Sequence, residues 1–190
     1  MSYNSEKTNI VLDVNVWIDA IEDLGSLNDW KELVNLKPNG LRATAMNSVK
    51  SLVKGQLSNK GLVVSVNSSD HILNLVRKRL VNSKKWDPVN ANIAVAEISK
   101  FCLASDGNPA VNWKPVLNDV KATINYEINK NDNYADSINT EDIIVLATAV
   151  AVNSKILVSN DGGLELMRGI TKDAYDLEIV FPRLLSLYAK

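Results

Sequence analysis

The sequence predicts an α/β protein: a three-layer sandwich with a central parallel sheet flanked by helices. Three observations carry that reading. Short apolar runs such as Ile10-Val11-Leu12, Leu62-Val63-Val64-Ser65-Val66 and Ile156-Leu157-Val158 are near-continuous, as in strands buried on both faces. Between them lie segments whose apolar residues recur at three- and four-residue steps. No hairpin signal joins one strand directly to the next, so right-handed βαβ crossovers and parallel pairing follow.

Taken in order, the first strand runs into Asp13, and Val16 to Leu24 reads as a short helix closed near Gly25. A polar connection containing Trp30 leads to a longer helix on Leu41, Ala45, Val49, Leu52 and Val53. The second strand, Leu62 to Val66, follows Gly55 and Gly61. Ser68 or Ser69 then caps a helix whose apolar face is Ile72, Leu73, Val76 and Leu80. Asp87-Pro88 opens another helix, along which Ile93, Ala94, Ala96, Glu97 and Phe101 alternate between core and solvent. From about 107 to 139 the composition shifts toward Asn, Asp and Pro, a less typical segment with one helix expected from Val116 to Ile128. Thr140 is the expected cap of a strongly apolar helix, Glu141 to Val152, which feeds the strand Ile156 to Val158. A last strand, Glu178 to Phe181, is stopped by Pro182 and followed by a short helix to Lys190.

A chain of 190 residues suits one domain, 1–190, and can bury a full core. Apolar residues at 46% and charged residues at 23% exclude general disorder, while a net charge of -1 requires any nucleic-acid surface to be local. Cys102 is the sole cysteine, which excludes an intrachain disulfide and a cysteine-based zinc site. The polar start, Met1 to Thr8, lacks the order of a secretory signal, and Ile143 to Val152 is too short to span a bilayer. The expectation is a cytoplasmic protein with no membrane contact.

The chemistry concentrates in three aspartates. Asp13 ends the first strand, Asp161 lies just past Ile156 to Val158, and Asp142 lies in the first turn of the helix that feeds that strand. In parallel sheets ligands bind beyond the carboxyl ends of the strands. Carboxylates gathered there repel one another, and a divalent cation is the usual compensation. Hard cations such as Mg2+ or Mn2+ select oxygen ligands and are commonly bound by a few carboxylates together with substrate phosphate. Such an ion can lower the pKa of a water for attack on a phosphodiester.

Three pieces, Val11-Leu12-Asp13-Val14-Asn15-Val16-Trp17-Ile18, Glu141 to Ala149, and Ile156 to Leu164 with Ser159-Asn160-Asp161-Gly162-Gly163, resemble the PIN-domain nuclease family in order and in placement on predicted elements. The resemblance implies a metal-dependent endoribonuclease, often the toxin of a toxin-antitoxin pair, with an antitoxin protein and a second copy of the chain as partners. It implies that Asp13, Asp142 and Asp161 are the catalytic, metal-binding carboxylates and that Asn15 and Ser159 support them. The family usually carries a glutamate on the helix after the second strand. Here Asp70-His71-Ile72-Leu73-Asn74 holds none, so Asp70, His71 and Asn74 are the candidates for its place.

Arg77, Lys78, Lys84 and Lys85, with Arg79 and Trp86 nearby, are the candidate RNA-binding residues, able to track a phosphate backbone; a solvated helix face is the plainer explanation of the same run. Glu141 can join the ligand set or simply complement the helix dipole. Each aspartate likewise has an ordinary role, as a turn or cap residue. Two other functions compete: a non-catalytic PIN-like module that binds RNA or protein through a degenerate site, and a phosphohydrolase of the haloacid-dehalogenase type using Asp13 as nucleophile, which Asn15 disfavours because that chemistry needs an acid there.

Overall fold

Strand order and connectivity place a crevice between the two inner strands. The computed structural model describes residues 7–24, 64–130, 138–182 and 184. Among them are strands β1 (Thr8–Leu12), β2 (Val64–Asn67), β3 (Ile156–Val158) and β4 (Glu178–Val180). The helices are α1 (Val14–Leu24), α2 (Asp70–Asn82), α3 (Pro88–Ala104), α4 (Lys114–Lys130), α5 (Thr140–Ala151), α6 (Gly162–Leu166) and α7 (Arg168–Tyr175). The sheet order is β2-β1-β3-β4 and every pairing is parallel, with Ile10 opposite Val66 on one side and Ile156 on the other. The chain leaves β1 toward β2 and later returns to β3 on the opposite side. That reversal is a topological switch point, where the loops after β1 and β3 diverge and leave room for a ligand.

The predicted class is therefore the observed one, a parallel sheet with helices on its faces. Continuous burial explains the strand sequences: Ile10, Val11, Leu12, Leu157 and Val158 are fully buried. Each such side chain contributes about 1.5–3 kcal/mol of apolar transfer. Helix α5 is buried at every position from Asp142 to Ala149, because it contacts β1 and β3 and is also packed by α4. A helix covered all round needs no polar face, which accounts for Ile143 to Ala147. On α1, Trp17 is fully buried and meets Phe101 of α3 edge to face, with ring centroids 6.0 Å apart.

Helix ends refine the sequence reading. Ser69 caps α2 through Ile72 N–H, and its hydroxyl lies 3.0 Å from that of Thr148 in α5. Asp87 caps α3, with Pro88 in the first turn as expected. Helix α5 is capped by Asn139 rather than Thr140: its side chain accepts from Asp142 N–H, and Asp142 accepts from Asn139 N–H. This reciprocal capping box satisfies two terminal donors, where a cap at Thr140 would begin the helix one residue later. Helix α4 extends two residues past each predicted end, to Lys114 and Lys130. Helices α6 and α7 were not foreseen in the sequence. The helix expected on 41–53, Trp30, Leu62 and Val63, and the final helix to Lys190 lie outside the described residues.

The segment after α3 closes the outer side of β2. Ser105 Oγ accepts from Val66 N–H, Asn108 N–H donates to Asn67 Oδ1, and Ser68 exchanges backbone hydrogen bonds with Asn108 and Val111. Such a covered edge cannot recruit another strand. Gly107 passes so close that a Cβ there would lie 1.8 Å from the Val66 carbonyl oxygen. Gly107→Ala is expected to lower stability by about 2–4 kcal/mol through displacement of this backbone. Urea denaturation of the variant checks it, and an unchanged midpoint would show that the loop does not press on β2.

Candidate metal centre

Asp13 is positioned by the end of β1. Its N–H donates to Val158 O, which continues the β1/β3 ladder by one residue, and its carbonyl accepts from Val16 and Trp17 to begin α1. The carboxylate is left at the switch point with only 4% of the residue exposed. Oδ1 accepts from Val14 N–H at 2.6 Å and Oδ2 from the Ser159 hydroxyl at 2.8 Å. Ser159, the residue after β3, accepts from Asp161 N–H at 2.9 Å through the same oxygen. One hydroxyl thus fixes Asp13 and the start of the Asp161 turn together.

The other two aspartates are held by helix N-termini. Asp161 Oδ1 accepts from Gly163 and Leu164 N–H, capping α6, and Asp142 Oδ2 accepts from Asn139 N–H in the capping box. Both ordinary readings of these residues, cap and turn, are therefore real. Each cap engages one oxygen and leaves Asp161 Oδ2 and Asp142 Oδ1 without a hydrogen-bond donor among the described residues. Capping orients the carboxylates and does not exhaust them.

Electrostatics tie the three together. Burial pushes the Asp13 carboxyl up to about 6, opposed by its hydrogen bonds from Ser159 and Val14 and reinforced by the charges of Asp142 and Asp161. Asp142 is also raised, first by burial and then by Asp161 and Glu141, while the Asn139 hydrogen bond and Arg79 pull it down. A rim that holds an all-oxygen donor set and is short of positive charge fits a hard divalent cation. Among the described residues, no three His, Cys, Asp or Glu side chains are gathered closely enough to hold an ion by themselves. Magnesium keeps several waters and binds through one or two carboxylates plus substrate oxygens, so an open arrangement suits it.

No family model, curated protein or solved structure matches the chain.

Asn15 faces the rim: its Oδ1 accepts from Arg79 Nη1 at 2.6 Å. The three candidates for the absent glutamate are otherwise engaged or exposed. Asp70 accepts from the Trp113 indole N–H and from His71 N–H, and Asn74 is exposed. His71 packs its ring edge to face on Trp113, its Nε2 is buried without a partner among the described residues, and burial lowers its pKa against the pull of Glu141 and Asp70. The residue that α2 sends toward the rim is instead Arg79, which also approaches Glu141 at 3.5 Å. A signal existed in the sequence. Ile72, Leu75, Val76 and Leu80 are the buried stripe of α2, and Arg79 is a charge at a helical step that continues it.

The basic run does not form one face. Arg77 donates to Asn92 on α3, Lys84 pairs with Glu22 on α1, and Lys85 donates to the Asn82 carbonyl. Lys78 is exposed and makes no hydrogen bond or ion pair among the described residues.

Asp13→Asn separates the charge from the fold. Because the folded-state pKa is raised, Asp13 costs nothing below its unfolded value near 4, and its cost grows as pH rises through about 6. In EDTA the variant should be more stable than the parent at pH 7.5, by on the order of 2–3 kcal/mol, with the advantage fading toward pH 4. Thermal melts at the two pH values read this directly. A variant less stable at pH 7.5 would mean that the carboxylate is structural.

Proposed function

We propose that this chain is a metal-dependent endoribonuclease of the PIN type, with Asp13, Asp142 and Asp161 as the carboxylates that hold Mg2+ or Mn2+. The observation that carries the reading is that Asp13, buried at the sheet's switch point and hydrogen-bonded to Ser159, also feels the charges of Asp142 and Asp161. A structural role does not call for three like charges there. When bound, the ion would supply charge neutralisation and a water of lowered pKa for attack on the phosphate.

The chain's own residues do the positioning. Ser159 orients Asp13 and, through Asp161 N–H, sets where the third carboxylate begins. Asn139 fixes the Asp142 side chain, and the N–H groups of Gly163 and Leu164 fix that of Asp161. Each carboxylate is thus pre-oriented by hydrogen bonds, which is how a site avoids reorganising during reaction. The toxin role within a toxin-antitoxin pair, an antitoxin partner and a homodimer belong to the same proposal. They rest on the PIN resemblance. Among the described residues no helix is long and apolar enough to cross a membrane.

One observation favours a second reading, a PIN-like module that binds RNA or protein without cutting. Arg79 reaches the rim where a fourth carboxylate is absent, and its charge already offsets part of the acidic field at Asp142. The two readings part on cleavage. The parent is expected to degrade single-stranded RNA in Mn2+ and not in EDTA, and Asp13→Asn should lose at least about a hundredfold of that rate while remaining folded. Equal cleavage by parent and variant would remove the proposed site, and a parent inert in Mn2+ would leave the module.

A further inference from the structure

Beside the acidic rim lies a small open cleft between the C-terminal half of α2 and the start of α5, about 180 Å3 in volume, lined by Leu75, Lys78, Arg79, Asn82, Ser83 and Glu141. We propose that this cleft seats a phosphodiester of the RNA strand next to the one cut, with Lys78 and Arg79 as its cationic contacts. The inference rests on the nuclease reading for the neighbouring rim, but its chemistry is separate.

Charge gives the first argument. Three aspartates repel an approaching polyanion, so the strand needs cations flanking them. Arg79 is the cation beside Asp142, and Lys78 precedes it in the chain. Of the rest of the run, Arg77 bonds Asn92 and Lys84 pairs with Glu22, away from the cleft, while Lys85 donates to the backbone carbonyl of Asn82. Only Lys78 of that run brings a cation with no partner among the described residues.

Geometry gives the second. Asn15 anchors Arg79 through Nη1, which aims the guanidinium, while the Glu141 contact at Nη2 is long and both side chains are over a third exposed. A phosphate oxygen can therefore compete with Glu141 for Nη2, and planar guanidinium groups match tetrahedral oxyanions well. The Ser83 hydroxyl and the Asn82 amide supply neutral donors in the same cleft. The C-terminal dipole of α2 opposes an anion with about half a charge. Two full positive charges outweigh it, even after Glu141 is counted.

Size and lining select the part of the nucleotide. The volume is below the ~300 Å3 at which pockets begin to enclose small-molecule ligands, and among the described residues the lining holds no aromatic ring on which a base could stack. The backbone enters and the base stays outside.

The test is fluorescence anisotropy with a labelled single-stranded RNA of roughly 12 nucleotides, in EDTA so that binding is read without cleavage. Lys78→Gln should weaken binding about threefold to tenfold and flatten the plot of log affinity against log salt by about 0.7, one phosphate contact's share for a single strand. Arg79→Gln should do the same, with melting curves checking its fold, and Lys121→Gln, an exposed lysine of α4, should change neither quantity. Wild-type affinity and slope in both Lys78→Gln and Arg79→Gln would overturn the subsite, as would an equal loss in Lys121→Gln or a parent that does not bind RNA. Because no metal is present, failure here leaves manganese-dependent cleavage to be judged alone, and loss of the cleavage reading leaves this binding result standing.

Discussion

The Ser159 hydroxyl joins the two inner strands at their carboxyl ends, and the arrangement of the rim depends on it. It donates to Asp13 Oδ2 and accepts from Asp161 N–H, so the end of β1 and the turn after β3 are set by one oxygen atom. The sheet makes this contact obligatory: with Leu12 opposite Val158, the next residue of each strand must emerge side by side. Parallel pairing fixes the backbone, and the backbone fixes which side chains meet.

What they meet in is an unfavourable electrostatic situation that the fold sustains. A buried carboxyl at about 6 is a standing cost near neutral pH, and the hydrogen bonds from Ser159 and Val14 recover only part of it. Stability is not served by placing Asp142 and Asp161 nearby as well. Sites that hold like charges in spite of this cost are commonly sites where a cation or substrate later relieves it. Arg79 supplies a partial answer from within, held by Asn15 and approaching Glu141 in the first turn of α5. Its presence makes this rim less negative than three aspartates and Glu141 alone would be, so a bound ion would face less attraction and an approaching phosphate less repulsion.

The sheet, and the positions of Asp13 and Asp161 just past its inner strands, were legible in the sequence because their signals are local and strong. Continuous apolar runs mean double-sided burial, and an acid at the end of such a run has only one edge on which to lie. The cap of α5 was missed by one residue because Asn139 and Thr140 are both good caps, and only the reciprocal bond to Asp142 selects the former. Helices α6 and α7 escaped because they are only five and eight residues long and carry Gly162, Gly163 and Gly169, which read as turn in a sequence. Arg79 was read as part of a basic stripe, since consecutive charges look alike in sequence, whereas α2 turns them about 100° apart per residue and sends Arg77 to Asn92 of α3 and Arg79 to Asn15 of α1. The role of Gly107 could not be read at all. It depends on a close approach to Val66, forty-one residues earlier.

In the proposed site, Mg2+ or Mn2+ is held between carboxylates from the end of β1, the first turn of α5 and the turn after β3. A crystal of this chain grown with manganese, with anomalous data collected at the metal's absorption edge, addresses it without reference to any substrate. The account predicts an anomalous peak at about 2–2.5 Å from an oxygen of Asp13 and of at least one of Asp142 and Asp161. Manganese found only at other surface carboxylates, with this rim bare at millimolar metal, would contradict it.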